Sequence, residues 1–290
     1  MTTGTESDRS PQPLDADTHR AFRDVVLVVA LVVVILCLVP PLATEARRYE
    51  FAEAIQYSIL GVVIPALVAV GAPWRRLGLA SRSGPVTGPD GLGPAAGSPG
   101  PASASGLGPV DRLARGRRRH PEALRSACFF VLYLAGAILW RIPASVNALI
   151  RHPWLLVVEA LTLVALGTGL WLELVESPPL VPRLSRPHRV ALAAVSMWAI
   201  WVLAYLIGLS HASWYDAFTH HAGTGLSLSA DQQLSTGMMW FISGCAFIPV
   251  VFWNLIQWLQ SEEDPDEELH HLLRVERLRG RTGPGGQTTA

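Results

Sequence analysis

The stretch VVLVVALVVVILCLV, residues 25–39, has no polar side chain apart from the thiol of Cys37. It lacks the two-residue alternation of a half-buried strand and the polar face of an amphipathic surface helix. A helix rises about 1.5 Å per residue and the hydrocarbon core of a bilayer is about 30 Å thick, so roughly twenty such residues suffice to cross it. Five further stretches have this length and character: 51–72, 124–146, 154–174, 190–209 and 236–259. With 25–43 they predict an all-α, polytopic membrane helix bundle of about six transmembrane helices. The first helix has a second reading as a signal-peptide core, because PPLATEA (40–46) offers small residues for cleavage.

Composition agrees. Of 290 residues, 50% are hydrophobic and 16% charged, with mean hydropathy +0.32, against about 25% charged in a soluble domain. Formal net charge is zero, which gives no hold for nucleic acid. All 23 basic residues are arginine. That rules out a Walker A loop and Schiff-base chemistry, both of which need lysine. With no G-x-S-x-G and no H-E-x-x-H either, an enzyme is not expected. Cys37, Cys128 and Cys245 are far apart and read as small core residues. No histidine lies deep in a predicted span, which argues against haem.

Arginine distribution sets the expected topology and the segments. Residues 1–24 read as a disordered cytoplasmic tail, and 25–73 hold helices one and two. Residues 74–121 read as a disordered linker, Gly/Pro/Ser-rich and then Arg-rich. Residues 122–260 hold helices three to six, and 261–290 form a tail with a short amphipathic helix. The cluster RLARGRRRH (112–120) faces the cytoplasm by the positive-inside rule, with both termini on that side. The cluster fits either a topology marker or a seat for anionic lipid headgroups. Arg47, Arg48 and Arg151 break the pattern.

Polar residues gather in the outer halves of the helices. DQQLSTGMMW (231–240) opens the sixth helix, so Asp231 is expected to cap it. Gln232 and Gln233 are expected to hydrogen-bond polar groups on neighbouring helices, ahead of Trp240. Arg141 and Glu159 each lie about nine residues from a turn near 149–150. At similar depth, the two should pair rather than leave a charge in lipid. Glu53 and Tyr57 share a face as i,i+4 neighbours. The inner halves read as apolar packing. His211, His220 and His221 precede Met238 and Met239, and imidazole with thioether suits copper. The same residues also fit an interfacial loop with methionine as gap filler. A transporter is disfavoured, because polar residues do not continue inward and no inverted repeat is evident.

The chain resembles the CtaG-like family, membrane proteins associated with assembly of caa-type cytochrome c oxidase. Asp231, Gln232, Gln233, Gly237 (one position late), Met239 and Trp240 match its D-Q-Q-x-x-G-x-x-M-W segment. PALVAVGAP (65–73), LWRIP (139–143) and HPWLLVVEALTLVALGTGLW (152–171) match three further segments in order. The resemblance implies a bacterial inner-membrane protein that assists oxidase assembly, with an oxidase subunit or a copper donor as partner. It also implies histidines where this chain has Glu53, Tyr57, Arg141 and Ala160. A fixed guanidinium cannot coordinate a metal, so any copper would fall to the outer histidines and methionines. A metal-free chaperone is the alternative, with Gly167, Gly169 and Gly208 permitting close helix contact.

Overall fold

The computed structural model describes residues 14–77, 79, 108–119, 123–210, 213–221 and 226–262. In chain order the α-helices are α1 (Leu14–Leu38), α2 (Leu42–Glu45), α3 (Glu50–Ser58), α4 (Ile64–Gly71), α5 (Pro109–Arg119), α6 (Ala123–Arg141), α7 (Pro143–Arg151), α8 (Leu155–Leu174), α9 (Arg186–Gly208) and α10 (Leu228–Glu262). Among the described residues six helices are long and apolar enough to cross a membrane: Arg20–Leu38, Glu50–Arg75, Leu124–Arg141, Leu155–Leu174, Arg186–Gly208 and Leu228–Gln260. The chain is thus an all-α, multi-pass membrane protein, and no strand occurs among the described residues.

The second span is central, with 61% of its apolar window buried against 17% for the first. A π-helical turn, Ile59–Val63, joins α3 to α4. Pro65 has no N–H and its ring crowds the carbonyl four residues back, so the helix widens there. The Gly61 carbonyl, to which Pro65 cannot donate, is buried against α8, where a Cβ on Gly167 would come within 2.8 Å of it. Gly169 meets Phe129 and Gly208 meets Thr236 in the same manner. These three glycines serve contacts within the chain, so they are not free for a client helix. Leu60, Ile64, Leu163, Leu170 and Met239 fill the core, and Trp171 stacks on Phe247 at 5.0 Å.

Three helices depart from expectation. Helix α1 already begins at Leu14, inside the 1–24 tail expected to be disordered. The third span stops at Arg141, because Pro143 forces Ile142 into extended backbone (φ −71°, ψ 145°) and begins α7. Residues 109–119, part of the expected linker, form α5, which docks on the bundle. Ala114 and Arg117 are buried beneath it, and the Val110 N–H donates to the Leu79 carbonyl at 3.2 Å. The start of the expected linker is ordered too, because a 3-10 turn at Pro73–Arg75 closes the second span with Trp74 buried. Residues 78, 80–107, 120 and 121, and the expected tail helix beyond 262, lie outside the described residues.

Candidate functional site: a buried polar centre

Asp231 caps a helix, but not its own. The Glu50 and Phe51 N–H groups both donate to its carboxylate at 2.9 Å. Tyr49, at the N-cap of α3, supplies no side-chain oxygen there, so α10 satisfies the start of α3 from outside. The start of α10 is instead served by Ser227 Oγ, which accepts from the Ala230 N–H at 3.2 Å. The expectation for Asp231 is corrected in its target. A carboxylate in a first turn takes the nearest orphan donors, and here the packing of α3 supplies them.

The two glutamines divide. Gln232 is buried and donates to the Ile207 and Ser210 carbonyls at 2.6 and 3.1 Å, closing the end of α9. Gln233 is exposed, with its own carbonyl accepting from Thr236 Oγ1 at 2.9 Å. Successive helical residues point about 100° apart, so only one of the pair can face the bundle.

Arg141 is 1% exposed and ion-paired to Glu53 through Nη1 and Oε2. Its guanidinium lies over the Tyr57 ring at 5.0 Å and the Tyr215 ring at 5.3 Å. Tyr57 and Tyr215 donate their hydroxyls to the Ala137 and Arg141 carbonyls at 2.9 and 3.0 Å, satisfying the last turn of α6. The expected Arg141–Glu159 ion pair does not form. Glu159 is 1% exposed and within electrostatic reach of Arg141 and Glu53, but its Oε1 has no partner. The chain leaves the helix directly after Arg141 rather than continuing to 146, which changes the geometry on which the pairing rested. Trp140 takes up the α6–α8 contact instead, donating to Thr162 Oγ1 at 2.8 Å.

Tyr215 joins this centre with no motif to mark it. It sits in SWYDAF of the α9–α10 connection and is fully buried, packed with Phe218 against Val146 and Ile150. The Ala217 N–H donates to Asn147 Oδ1 at 3.0 Å, fixing this connection on α7. Burial pushes the Tyr215 hydroxyl well above its ordinary pKa, so it stays a donor. Aromatic residues inside a polar loop were the available signal.

The centre is incompletely satisfied. Arg141 Nε and Nη2, Glu53 Oε1, Glu159 Oε1, Glu50 Oε1 and Ser235 Oγ have no hydrogen-bond partner. Chemically it offers carboxylates, phenols and a guanidinium. That set is hard and hydrogen-bonding, and it does not fit copper, which favours imidazole and sulfur. Among the described residues no three His, Cys, Asp or Glu side chains are grouped to hold a metal.

The expected copper set is only partly covered. His211 lies outside the described residues, and so do the side chains of His220 and His221. Met238 is half-buried, while Met239 is wholly buried in the core. Trp240 is 52% exposed and stacks on Trp201 at 4.1 Å.

A second buried charge cluster occupies the other end of the bundle, where only apolar packing was expected. Glu173 accepts from Arg117 Nη2 at 2.8 Å, Ser126 Oγ at 3.0 Å, and Arg183 Nη1 and N–H at 3.1 and 3.3 Å. Arg117 also reaches the Leu172 carbonyl at 3.1 Å. Burial lowers the Arg117 pKa, and the Glu173 charge opposes that effect.

A family model described as cytochrome c oxidase caa3 assembly factor matches residues 10–261. No curated protein and no solved structure matches the chain.

Proposed function

The chain belongs to the cytochrome c oxidase caa3 assembly factor family, and from that premise we propose that it acts as a metal-free membrane chaperone for an oxidase subunit. The Arg141–Glu53 pair carries this reading. The positions where the resemblance implies histidines hold a carboxylate, a phenol, a guanidinium and a methyl group. The guanidinium brings a permanent positive charge to the spot a copper ion would need. These side chains hold helix ends together: Glu53 and Tyr57 on α3, Arg141 on α6, Tyr215 on the α9–α10 connection. The role is one of binding and positioning; no catalytic chemistry is assigned.

In this reading the arginine distribution puts the Arg117–Glu173 end on the cytoplasmic side of the bacterial inner membrane and the Arg141 centre on the other. The client meets the outward faces of α9 and α10, where Trp198, Tyr205, Phe241 and Trp253 are all more than half exposed.

The test is copper loading of the purified full chain with Cu(I) under reducing conditions, beside oxidase activity in a deletion strain. The expected result is far less than one copper per chain, with the strain's lost oxidase activity not restored by added copper. One tightly held copper per chain, removed by His211→Ala/His220→Ala/His221→Ala, would overturn the reading in favour of copper handling by those histidines with Met238 and Met239.

A further inference from the structure

At the end of the bundle opposite the Arg141 centre, α1 and α4 approach closely. A Cβ on Gly71 would lie 2.6 Å from Leu27 Cδ2, so the glycine permits the contact. The approach sets Arg23, one turn before Leu27, near Arg75, just past Gly71. Their charges are close enough to repel each other. The neighbouring carboxylate, Asp24, is taken by Arg76. Neither Arg23 nor Arg75 has a carboxylate partner among the described residues. Two like charges brought together by helix packing leave a place for an anion.

The surroundings narrow the anion's identity. The patch lies where two membrane spans end, at Arg20 and Arg75. Phe22, Val25 and Leu77 beside it are 58%, 60% and 70% exposed. Helix α5 is tied to the same corner through Leu79, with exposed Arg112 and Arg115 beside Leu113, which is 53% exposed. Arg117 on its inner face fixes that helix to Glu173. Guanidinium groups beside exposed apolar side chains at a span boundary match a phosphate joined to acyl chains. A free phosphate or an acidic protein segment would use the charges and leave the apolar rim in water.

We propose that this corner seats an anionic phospholipid, its phosphate between Arg23 and Arg75, with Arg112 and Arg115 widening the positive surface and Phe22, Val25 and Leu77 meeting its chains. The site is independent of the chaperone reading.

The full-length chain, purified in zwitterionic detergent, is tested by native mass spectrometry and thermal unfolding with phosphatidylglycerol, phosphatidylcholine or inorganic phosphate added. Wild type should retain phosphatidylglycerol about tenfold better than phosphatidylcholine, and only phosphatidylglycerol should raise its unfolding temperature. Arg23→Gln/Arg75→Gln should lose the preference, yet unfold no lower than wild type without lipid, because a repulsion has been removed. Arg47→Gln, at the other end of the second span, should leave the preference intact. Equal retention of the two lipids by wild type overturns the proposal. So does an unchanged preference in the double variant, or stabilisation by inorganic phosphate equal to that by phosphatidylglycerol. Should the double variant not be recovered, the wild-type comparison alone decides.

Discussion

Glu173 and Arg141 are each buried at an end of the antiparallel α6–α8 pair. Ser126, which bonds Glu173, and Arg141 stand about 22 Å apart along α6. At one end, Glu173 accepts four hydrogen bonds, from two arginines, a serine and a backbone N–H. Its lone-pair sites are filled, and Arg183 Nε is the atom left over among these groups. At the other end, Arg141 makes one side-chain hydrogen bond, while its Nε and Nη2 and three neighbouring carboxyl oxygens have none. Unmet hydrogen-bonding capacity in a low-dielectric interior is costly. The Glu173 centre is therefore scaffold, complete in itself. The Arg141 centre has room to change partners, and it lies beside DQQ, whose Asp231 accepts from the first N–H groups of α3.

The first way to break this contrast is to remove the acid at the complete end. Glu173→Ala strands the Arg117 and Arg183 guanidiniums in an apolar interior, and neither can neutralise itself by losing a proton. Breaking such a buried pair costs about 3–5 kcal/mol. The expected outcome is loss of folded yield, or the largest fall in unfolding temperature of any single variant, read by thermal unfolding in detergent. A mild effect would mean that the four hydrogen bonds do not define the scaffold end.

Arg141→Met should cost less, about 1–3 kcal/mol. The residues left behind are carboxyls, which can take up a proton, and methionine fills part of the guanidinium's volume. The two variants sharpen the comparison when measured together: stability should fall further at the Glu173 end, and oxidase assembly in a complemented deletion strain should fall further at the Arg141 end. The reverse order in both assays would dissolve the distinction between scaffold and working centre.

What could be read in advance follows the physics of each feature. The spans were legible because a twenty-residue apolar run has few alternatives. The burial of Arg141 was legible because a charge inside such a run must face protein. Its partner was not. Distance along a hairpin gives depth but not the direction in which a side chain leaves its helix, and Pro143 ended the helix before the assumed turn. The burial of Glu173 was not legible, because it stands at the end of a span, next to ESPPL, where a charge usually meets water. Helix α5 was hidden by the glycines and prolines before it, and its docking depends on the buried Arg117–Glu173 pair rather than on an apolar stripe. The Tyr215 contact joins a loop to helices far away in sequence, and no local spacing encodes it.

The smallest predicted effect separates the two adjacent glutamines, to which sequence alone assigned one shared role. Gln232 spans the last carbonyls of α9, so Gln232→Ala leaves the buried Ile207 carbonyl without that donor and should cost about 1–2 kcal/mol. Gln233 meets solvent or lipid, and Gln233→Ala should stay within about 0.5 kcal/mol. Thermal unfolding of both variants reads the difference directly. If Gln233→Ala nevertheless abolishes oxidase assembly at full stability, the motif's exposed residue is read by a partner, and the working surface extends outward from the Arg141 centre. If it changes neither stability nor assembly, the motif matters to this chain through Asp231 and Gln232 alone, as the clasp that joins α10 to the ends of α3 and α9.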